Sequence, residues 1–406
     1  MDKKKFELYK PVLICFFVVF VVSLFLPLNW ADDAVFAKTT ANRTLFTFLK
    51  GSARPFTDGL TYIFSHNKFL WRILNPFVLA LSAYSLSETL PFKLNKKESL
   101  FLFIGTAIVT MALVDAGFIA TTVNYLWPIA FGLFSLMSVK KTYFNEKNSL
   151  IYKIISIPLL VYATNMQQMC AVLLGVFLCF NIYLWFNKRF DLFHLIQLII
   201  SASGAFLSLY LNFSGDNSRM LRETNRYFPA FAELNIFEKA ELGFSSTFFC
   251  FIMETRFAFF PFIAFTIYLA YKVFKKNKSV LQKTISLVSP VTAFVLAALS
   301  FFENPVYAFL SGGMVHGRMT KSVYSFNIVP FILFVVIGIF VLYTVLNLIE
   351  NKEYKFYAFS VLVIGLASRM LMGFSPTVWA SGYRTFSILI LAFIYVVLIV
   401  NKSEKV

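Results

Sequence analysis

Charged residues are scarce in this sequence, and their scarcity argues against a soluble globular protein. Only 14% of the 406 residues are charged, whereas 59% are hydrophobic. Soluble domains carry about 25% charged residues. One water-facing domain cannot bury so much apolar surface, but a lipid bilayer provides an apolar solvent for it. The composition therefore predicts an integral membrane protein, with the lipid bilayer as a partner.

Cysteine and histidine are also rare, with 4 and 3 residues. The cysteines stand in or beside apolar runs and form no CxxC pair, so neither a disulfide framework nor a zinc site is indicated. The sequence also lacks a Walker A motif and the GxGxxG, HExxH and GxSxG motifs. These absences argue against ATP-driven transport by this chain alone and against most soluble enzyme chemistries.

Basic residues are in excess, with a formal net charge of +17. In a soluble protein this would suggest nucleic acid. Here much of the excess lies in short loops between apolar runs, as the positive-inside rule predicts for cytoplasmic loops. We therefore predict no nucleic-acid partner. We predict instead a multi-pass protein of the cell membrane with both termini in the cytoplasm.

The apolar runs predict an all-α, polytopic membrane helix bundle of about 12 transmembrane helices. Only NMQQ separates the two halves of 150–186, so two helices and one re-entrant unit both stay open there. No repeat or soluble domain is evident, and 1–406 is predicted to form a single transmembrane domain. The predicted runs are 11–29, 75–92, 99–114, 127–139, 150–164, 168–186, 192–211, 246–271, 284–301, 327–347, 356–372 and 384–400.

Three long loops fall on the predicted outer face, at 30–74, 212–245 and 302–326. Long loops in a compact protein are usually functional or disordered. These three contain aromatic residues, so we expect them to be ordered. Within 34–74, apolar and polar residues alternate at roughly helical spacing, which predicts short amphipathic helices in the membrane interface.

Arginine is distributed against the positive-inside rule. Only Arg189 falls on the predicted cytoplasmic side, whereas most lysines do. The rule treats Lys and Arg alike, so it does not explain the split. Arginine grips phosphate or carboxylate with a planar fork of donors, which indicates an anionic ligand at the outer face. The alternative is that these arginines pair with acidic residues on the same side.

The sharpest motif is WADDAVFAK, directly after the first predicted span. It places Asp32 and Asp33 at the outer membrane interface beside Trp30. Two adjacent carboxylates at a low-dielectric boundary repel each other and lose hydration, which raises a pKa toward values useful for a general base. The alternative is that one or both residues cap a helix N-terminus.

A single span followed by an acidic pair that opens a large outer loop resembles the GT-C superfamily of integral membrane glycosyltransferases. The resemblance covers residues 1–75, and beyond them only the topology. It implies a bacterial type of enzyme in which Asp33, or else Asp32, is the general base. The implied partners are a polyprenyl-phosphate sugar donor and a cell-surface polysaccharide or glycolipid acceptor, with inversion at the anomeric carbon. No cofactor is predicted, and a divalent metal is left open.

Polar residues elsewhere on the predicted outer face complete the expected site. Isolated arginines near helix ends are costly in a membrane, so they are candidates to bind the donor phosphate, although they could instead snorkel to the interface. Amide, carboxylate and aromatic residues are candidates to bind the sugar or the acceptor, although helix packing and the aromatic belt also use them. The predicted phosphate-binding residues are Arg369, Arg384, Arg318 and Arg222. The predicted sugar- or acceptor-binding residues are Asp115, Asn124, Tyr125, Trp127, Gln168 and His316.

A transporter or flippase of lipid-linked or small anionic substrates is the alternative function. Such proteins typically have internal repeats and broken or charged helices near the middle of the membrane. Here the charges crowd one predicted face, which favours surface chemistry. A polysaccharide polymerase or ligase is a third interpretation of the same loops.

Overall fold

The computed structural model describes residues 3–50, 52–214, 218–302, 304–312 and 327–403. All regular elements in these ranges are helical, which confirms the all-α prediction. The chain divides into two compact units, Met1–Arg219 and Met220–Val406. The single transmembrane domain stays a prediction, and each unit is described by itself below.

Eight helical segments are long and apolar enough to cross a membrane, which indicates a multi-pass membrane protein. Lys10–Phe25 and Leu150–Ala163 are apolar but shorter. The count of about 12 spans and the orientation of the termini stay predictions. The eight segments are Lys68–Thr89, Phe118–Tyr143, Gln167–Phe186, Leu192–Phe213, Val280–Phe301, Ile328–Leu348, Lys352–Phe374 and Tyr383–Ser403.

The first unit is a pack of helices around α5, which contacts both α1 and α8. The 150–186 region forms two helices, α9 and α10, separated by a short break. The elements are α1 (Lys3–Phe25), α2 (Ala31–Thr40), α3 (Leu45–Leu49), α4 (Pro55–His66), α5 (Lys68–Thr89), α6 (Lys96–Ala112), α7 (Phe118–Thr121), α8 (Trp127–Tyr143), α9 (Leu150–Ala163), α10 (Gln167–Phe186) and α11 (Leu192–Phe213).

The first predicted outer loop contains the short helices α2, α3 and α4, which confirms that it is helical; their position in the membrane interface stays a prediction. Proline at the first position starts α4, because its missing N–H has no partner to lose there. The Asn165 Oδ1 accepts the backbone N–H groups of Phe56 and Thr57 at 3.2 Å each, which caps α4 from the α9–α10 turn. The loop ends sooner than expected, because Asn67 caps α5.

A π-helical turn, Thr122–Leu126, joins α7 to α8. Pro128 follows it and has no N–H to donate to the Asn124 carbonyl, so a regular α-helical bond is missing at this point. The widened turn faces α4. Such turns occur mostly as single interruptions of α-helices, often at functional sites.

The second unit contains the remaining helices. One apolar run that was predicted as a single transmembrane helix in this unit is wrong. The run 246–271 is two helices, because the charged residues Glu254 and Arg256 interrupt it with an ion pair of 3.2 Å. The elements are α12 (Arg219–Tyr227, which starts in the first unit), α13 (Ile236–Ile252), α14 (Phe259–Lys275), α15 (Val280–Phe301), α16 (Pro305–Gly312), α17 (Ile328–Leu348), α18 (Lys352–Met370) and α19 (Ser387–Ser403), with 3₁₀ turns at Pro229–Glu233, Leu371–Phe374 and Tyr383–Phe386.

Glycine permits a close approach between α13 and the 3₁₀ turn Leu371–Phe374. A Cβ on Gly243 would lie 2.1 Å from the Met370 carbonyl oxygen, and one on Gly373 would lie 2.0 Å from the Lys239 carbonyl oxygen. Both distances are too short for any side chain. The end of α18 is thereby held against α13.

Candidate functional site

Both oxygens of the Asp33 carboxylate accept backbone hydrogen bonds at the start of α7. The N–H of Ile119 donates to Oδ2 at 3.1 Å, and the N–H of Ala120 donates to Oδ1 at 2.8 Å. The Asp33 side chain is only 3% exposed. Asp33 therefore caps a helix N-terminus, but the helix is α7 and not its own helix α2.

Gly117 makes the approach between α2 and α7 feasible. Its φ of +103° lies in the left-handed region that favours glycine. A Cβ at this position would lie 2.6 Å from the Asp33 Oδ1 and 2.9 Å from the Asp33 backbone nitrogen. The N–H of Asp32 also donates to the Ala116 carbonyl at 3.1 Å. The predicted first and second outer segments thus meet at the acidic pair.

The two carboxylates of the acidic pair have different surroundings. Burial raises the pKa of the Asp33 carboxyl, the N–H groups of Ala120 and Ile119 partly offset this, and the Asp32 charge raises it further. Asp32 is exposed. Of the two carboxylates predicted as the base, only that of Asp32 is exposed, and Asp33 is enclosed and bonded to the backbone.

Arg54 and Tyr125 lie together in the same part of the first unit. The Arg54 guanidinium carbon is 5.6 Å from the centre of the Tyr125 ring, and the buried Arg54 Nε has no hydrogen-bond partner in the described ranges. Arg54 precedes α4 and Tyr125 belongs to the π-helical turn. The elements α2, α4, α7 and this turn pack on one another. Arg54 and Tyr125 therefore belong to the same group of packed elements as the acidic pair.

Asn124 lies in the π-helical turn with an open acceptor. Its Nδ2 donates to Thr61 Oγ1 at 3.2 Å and to the Ala120 carbonyl at 2.9 Å. Its Oδ1 and the Thr121 hydroxyl are buried and have no partner among the residues that the structure describes. Buried polar groups are normally satisfied, so these two atoms are suited to hold a water or a ligand hydroxyl.

The other predicted sugar-binding residues have mixed positions. Trp127 is 3% exposed, donates to Asn75 Oδ1 at 3.0 Å and packs edge-on against Phe64, which is the arrangement of a core residue. Gln168 is 4% exposed at the start of α10. Asp115 is partly exposed just before Gly117. His316 lies outside the described residues.

Arg369 is a buried cation near the end of α18. Its side chain is 1% exposed, and in the described parts of the chain its Nε and Nη1 have no hydrogen-bond partner and no carboxylate forms an ion pair with it. Its guanidinium carbon lies 4.4 Å from the centre of the Phe386 ring. A desolvated cation–π contact contributes about 2 kcal/mol, less than the several kcal/mol that burial of a lone charge costs. An anion would complete this site.

Arg384 and Arg222, two other predicted phosphate ligands, belong to the same unit as Arg369 but differ in exposure. Arg384 is partly exposed in the 3₁₀ turn Tyr383–Phe386, two residues before Phe386. Arg222 is exposed on α12. Arg318 lies outside the described residues. Arg384 shares its 3₁₀ turn with Phe386, whose ring Arg369 contacts, and the phosphate roles of Arg384 and Arg222 stay predictions.

Several residues at these sites were not predicted from sequence. Gly117 had a signal, because a glycine stands between the polar residue Asp115 and the start of a helix at Phe118. The chain Cys250–Glu254–Arg256 had none: the Cys250 thiol donates to Glu254 Oε2 at 3.3 Å, and Glu254 pairs with Arg256 at 3.2 Å. No recognisable sequence motif contains these three residues.

The described residues contain no cluster of three or more His, Cys, Asp or Glu side chains that could hold a metal ion. Comparison of the chain with protein-family models, with curated proteins and with solved structures gave no match.

Proposed function

We propose that this protein is a membrane glycosyltransferase that moves a sugar from a polyprenyl-phosphate donor to a polysaccharide or glycolipid acceptor. The observation that carries the proposal is that the two carboxylates of the acidic pair differ in burial and hydrogen bonding. Asp33 is fixed by two backbone N–H groups, while Asp32 is exposed on the same first turn of α2. An exposed carboxylate on a rigidly anchored turn is what a general base requires.

The chemistry needs one base and one site for a phosphate leaving group. The Asp32 carboxylate takes the proton of the acceptor hydroxyl as its oxygen forms a bond to the anomeric carbon. The bond from that carbon to the phosphate oxygen breaks, and its electron pair leaves with the phosphate. Attack opposite to the leaving group inverts the anomeric carbon.

The second unit supports the phosphate part of the proposal through Arg369. Its guanidinium has two nitrogens without a hydrogen-bond partner in the described ranges and is almost fully buried. A charge-assisted pair between guanidinium and phosphate is strong in a low-dielectric site. We assign Arg369 to the donor phosphate, with Arg384 as a second ligand.

Purified full-length protein in vesicles tests the function. With a radiolabelled polyprenyl-phosphate sugar and a membrane lipid extract as acceptor, we expect label in a new glycolipid with inverted configuration. Arg369→Lys should weaken donor binding about tenfold, because lysine keeps the charge but lacks the fork. Unchanged donor affinity in this variant would remove Arg369 from the site.

The same vesicles separate the transporter alternative from the enzyme. A transporter or flippase would move the labelled donor across the bilayer without transferring its sugar. Movement of intact donor with no glycosylated product would overturn the proposed function.

A further inference from the structure

A second polar cavity lies in the first unit, at the ends of α8 to α11. Its volume is about 370 Å³, within the range of small-molecule sites. The α8–α9 and α10–α11 loops supply the walls. The lining residues are Thr142, Asn145, Glu146, Lys147, Asn148, Lys153, Arg189 and Asp191.

Thr142 holds the walls of this cavity together. Its hydroxyl contacts His194 Nε2 at 2.9 Å and accepts from Asn148 Nδ2 at 3.1 Å, while its carbonyl accepts from Arg189 Nη2 at 3.4 Å. Thr142 is 7% exposed and His194 is fully buried. The hydrogen bonds therefore fix both loops against the end of α8.

The cavity also carries charged side chains that do not form ion pairs with one another in the described ranges. Lys147, Lys153 and Arg189 face the same space as Glu146 and Asp191, yet in the described ranges no ion pair joins these cations to these carboxylates. The Oδ1 of Asn148, which lines the cavity, is buried without a hydrogen-bond partner in those ranges. Three cations that contribute no ion pair of their own are available to an anion.

This cavity and the acidic pair lie at opposite ends of one continuous helical segment, Phe118–Tyr143, which comprises α7, the π-helical turn and α8. Asp33 accepts hydrogen bonds from Ile119 and Ala120 at the start of this segment, and Thr142 lies one residue before its end at Tyr143. The intervening residues span on the order of 35 Å at 1.5 Å per residue. A hydrocarbon layer is about 30 Å thick. In a membrane crossed by this segment, the two sites face opposite surfaces.

We propose that the cavity binds a phosphate ester at the membrane surface opposite to the acidic pair. The lysine and arginine side chains bind the phosphate, and Glu146 with Asp191 accepts hydrogen bonds from hydroxyl groups beside it. Two sources share this chemistry: the glycerophosphate headgroup of an anionic lipid, and a soluble phosphate compound. This site is independent of glycosyl transfer.

Binding to the detergent-solubilised full chain tests the proposal with two probes. They are short-chain dihexanoyl phosphatidylglycerol and glycerol phosphate, each titrated by microscale thermophoresis. Lys147→Gln should weaken binding of the better probe about tenfold, because one charge-assisted contact is lost. Lys147 lies exposed on a loop, so this variant leaves the fold intact. Arg189→Gln should act likewise. Lys97→Gln, an exposed lysine at the start of α6 that does not line the cavity, is the matched control.

The relative affinities of the two probes distinguish the two sources of the phosphate. Tighter binding of the lipid probe identifies a headgroup site, and equal binding of both probes identifies a soluble phosphate compound. Either result, with Lys97→Gln unaffected, supports the proposal. If neither probe binds the unmodified protein, or if Lys97→Gln weakens binding as much as Lys147→Gln, the cavity is not a phosphate site.

Discussion

Asp33 in the first unit and Arg369 in the second are both buried charges, yet their surroundings differ. Both oxygens of Asp33 accept backbone N–H groups, whereas two nitrogens of Arg369 have no hydrogen-bond partner in the described residues. The two backbone donors offset part of the cost of burying the Asp33 charge, whereas a buried charge without a partner bears that cost in full until a ligand binds. We therefore assign Asp33 to structure and Arg369 to binding.

The largest expected effect on stability comes from the glycine beneath Asp33. Gly117→Ala should lower the free energy of unfolding by about 2–4 kcal/mol, because it adds backbone strain and an overpacked contact with the Asp33 carboxylate. The measurement is thermal unfolding in detergent. Gly105→Ala is the control, since no atom lies within 4 Å of its Cβ position. Equal effects of the two variants would show that α2 and α7 do not meet as described.

Asp33→Asn should lower the free energy of unfolding by about 1–3 kcal/mol at neutral pH. The amide has one acceptor oxygen, so its NH₂ group would face one of the two backbone N–H donors. Thermal unfolding measures the loss. Asp32→Asn, on the same turn but exposed, should change stability by no more than about 0.5 kcal/mol. A larger loss for Asp32→Asn than for Asp33→Asn would reverse the assigned roles.

The pH dependence of stability sharpens the same point. Burial raises the pKa of Asp33, so the folded protein binds more protons than the unfolded chain between the unfolded and folded pKa values. Stability from this group is present below the unfolded pKa and is lost as pH rises through the folded one, at no more than about 1.4 kcal/mol per pH unit. The stability advantage over Asp33→Asn should accordingly shrink as the pH rises above the pKa of the unfolded chain. An advantage that grows with pH would contradict the burial argument.

The smallest effect on stability is expected for Arg369→Met. Replacing an unsatisfied buried charge by an apolar side chain of similar length should leave the free energy of unfolding unchanged or slightly raised. Binding of the polyprenyl-phosphate donor should nevertheless fall at least tenfold. A loss of about 3–5 kcal/mol in stability would instead reveal a hidden structural partner for Arg369.

Sequence reasoning found the helices and the acidic pair but not the partners of each charge. Hydropathy alone predicted the all-α class and the short helices of the first outer loop. It merged α13 and α14, because Glu254 and Arg256 are too few to lower the mean hydropathy of a long apolar run. The role of Asp33 depends on backbone groups 86 and 87 residues away. No local pattern reveals such a contact.

The burial of Arg369 likewise could not be predicted from the sequence alone. Its position in an apolar helix indicated a functional charge, but sequence alone does not show that no carboxylate among the described residues pairs with it. Trp127 shows the opposite case: an aromatic residue that could bind a sugar is enclosed by Phe64 and bonded to Asn75.

The most direct measurement of the central claim is sugar transfer by Asp32→Asn in reconstituted vesicles. If an exposed carboxylate on an anchored turn is the base, the rate should fall by about 10²–10⁴-fold while the unfolding temperature stays constant. Transfer at the unmodified rate by a normally folded Asp32→Asn protein would contradict the account.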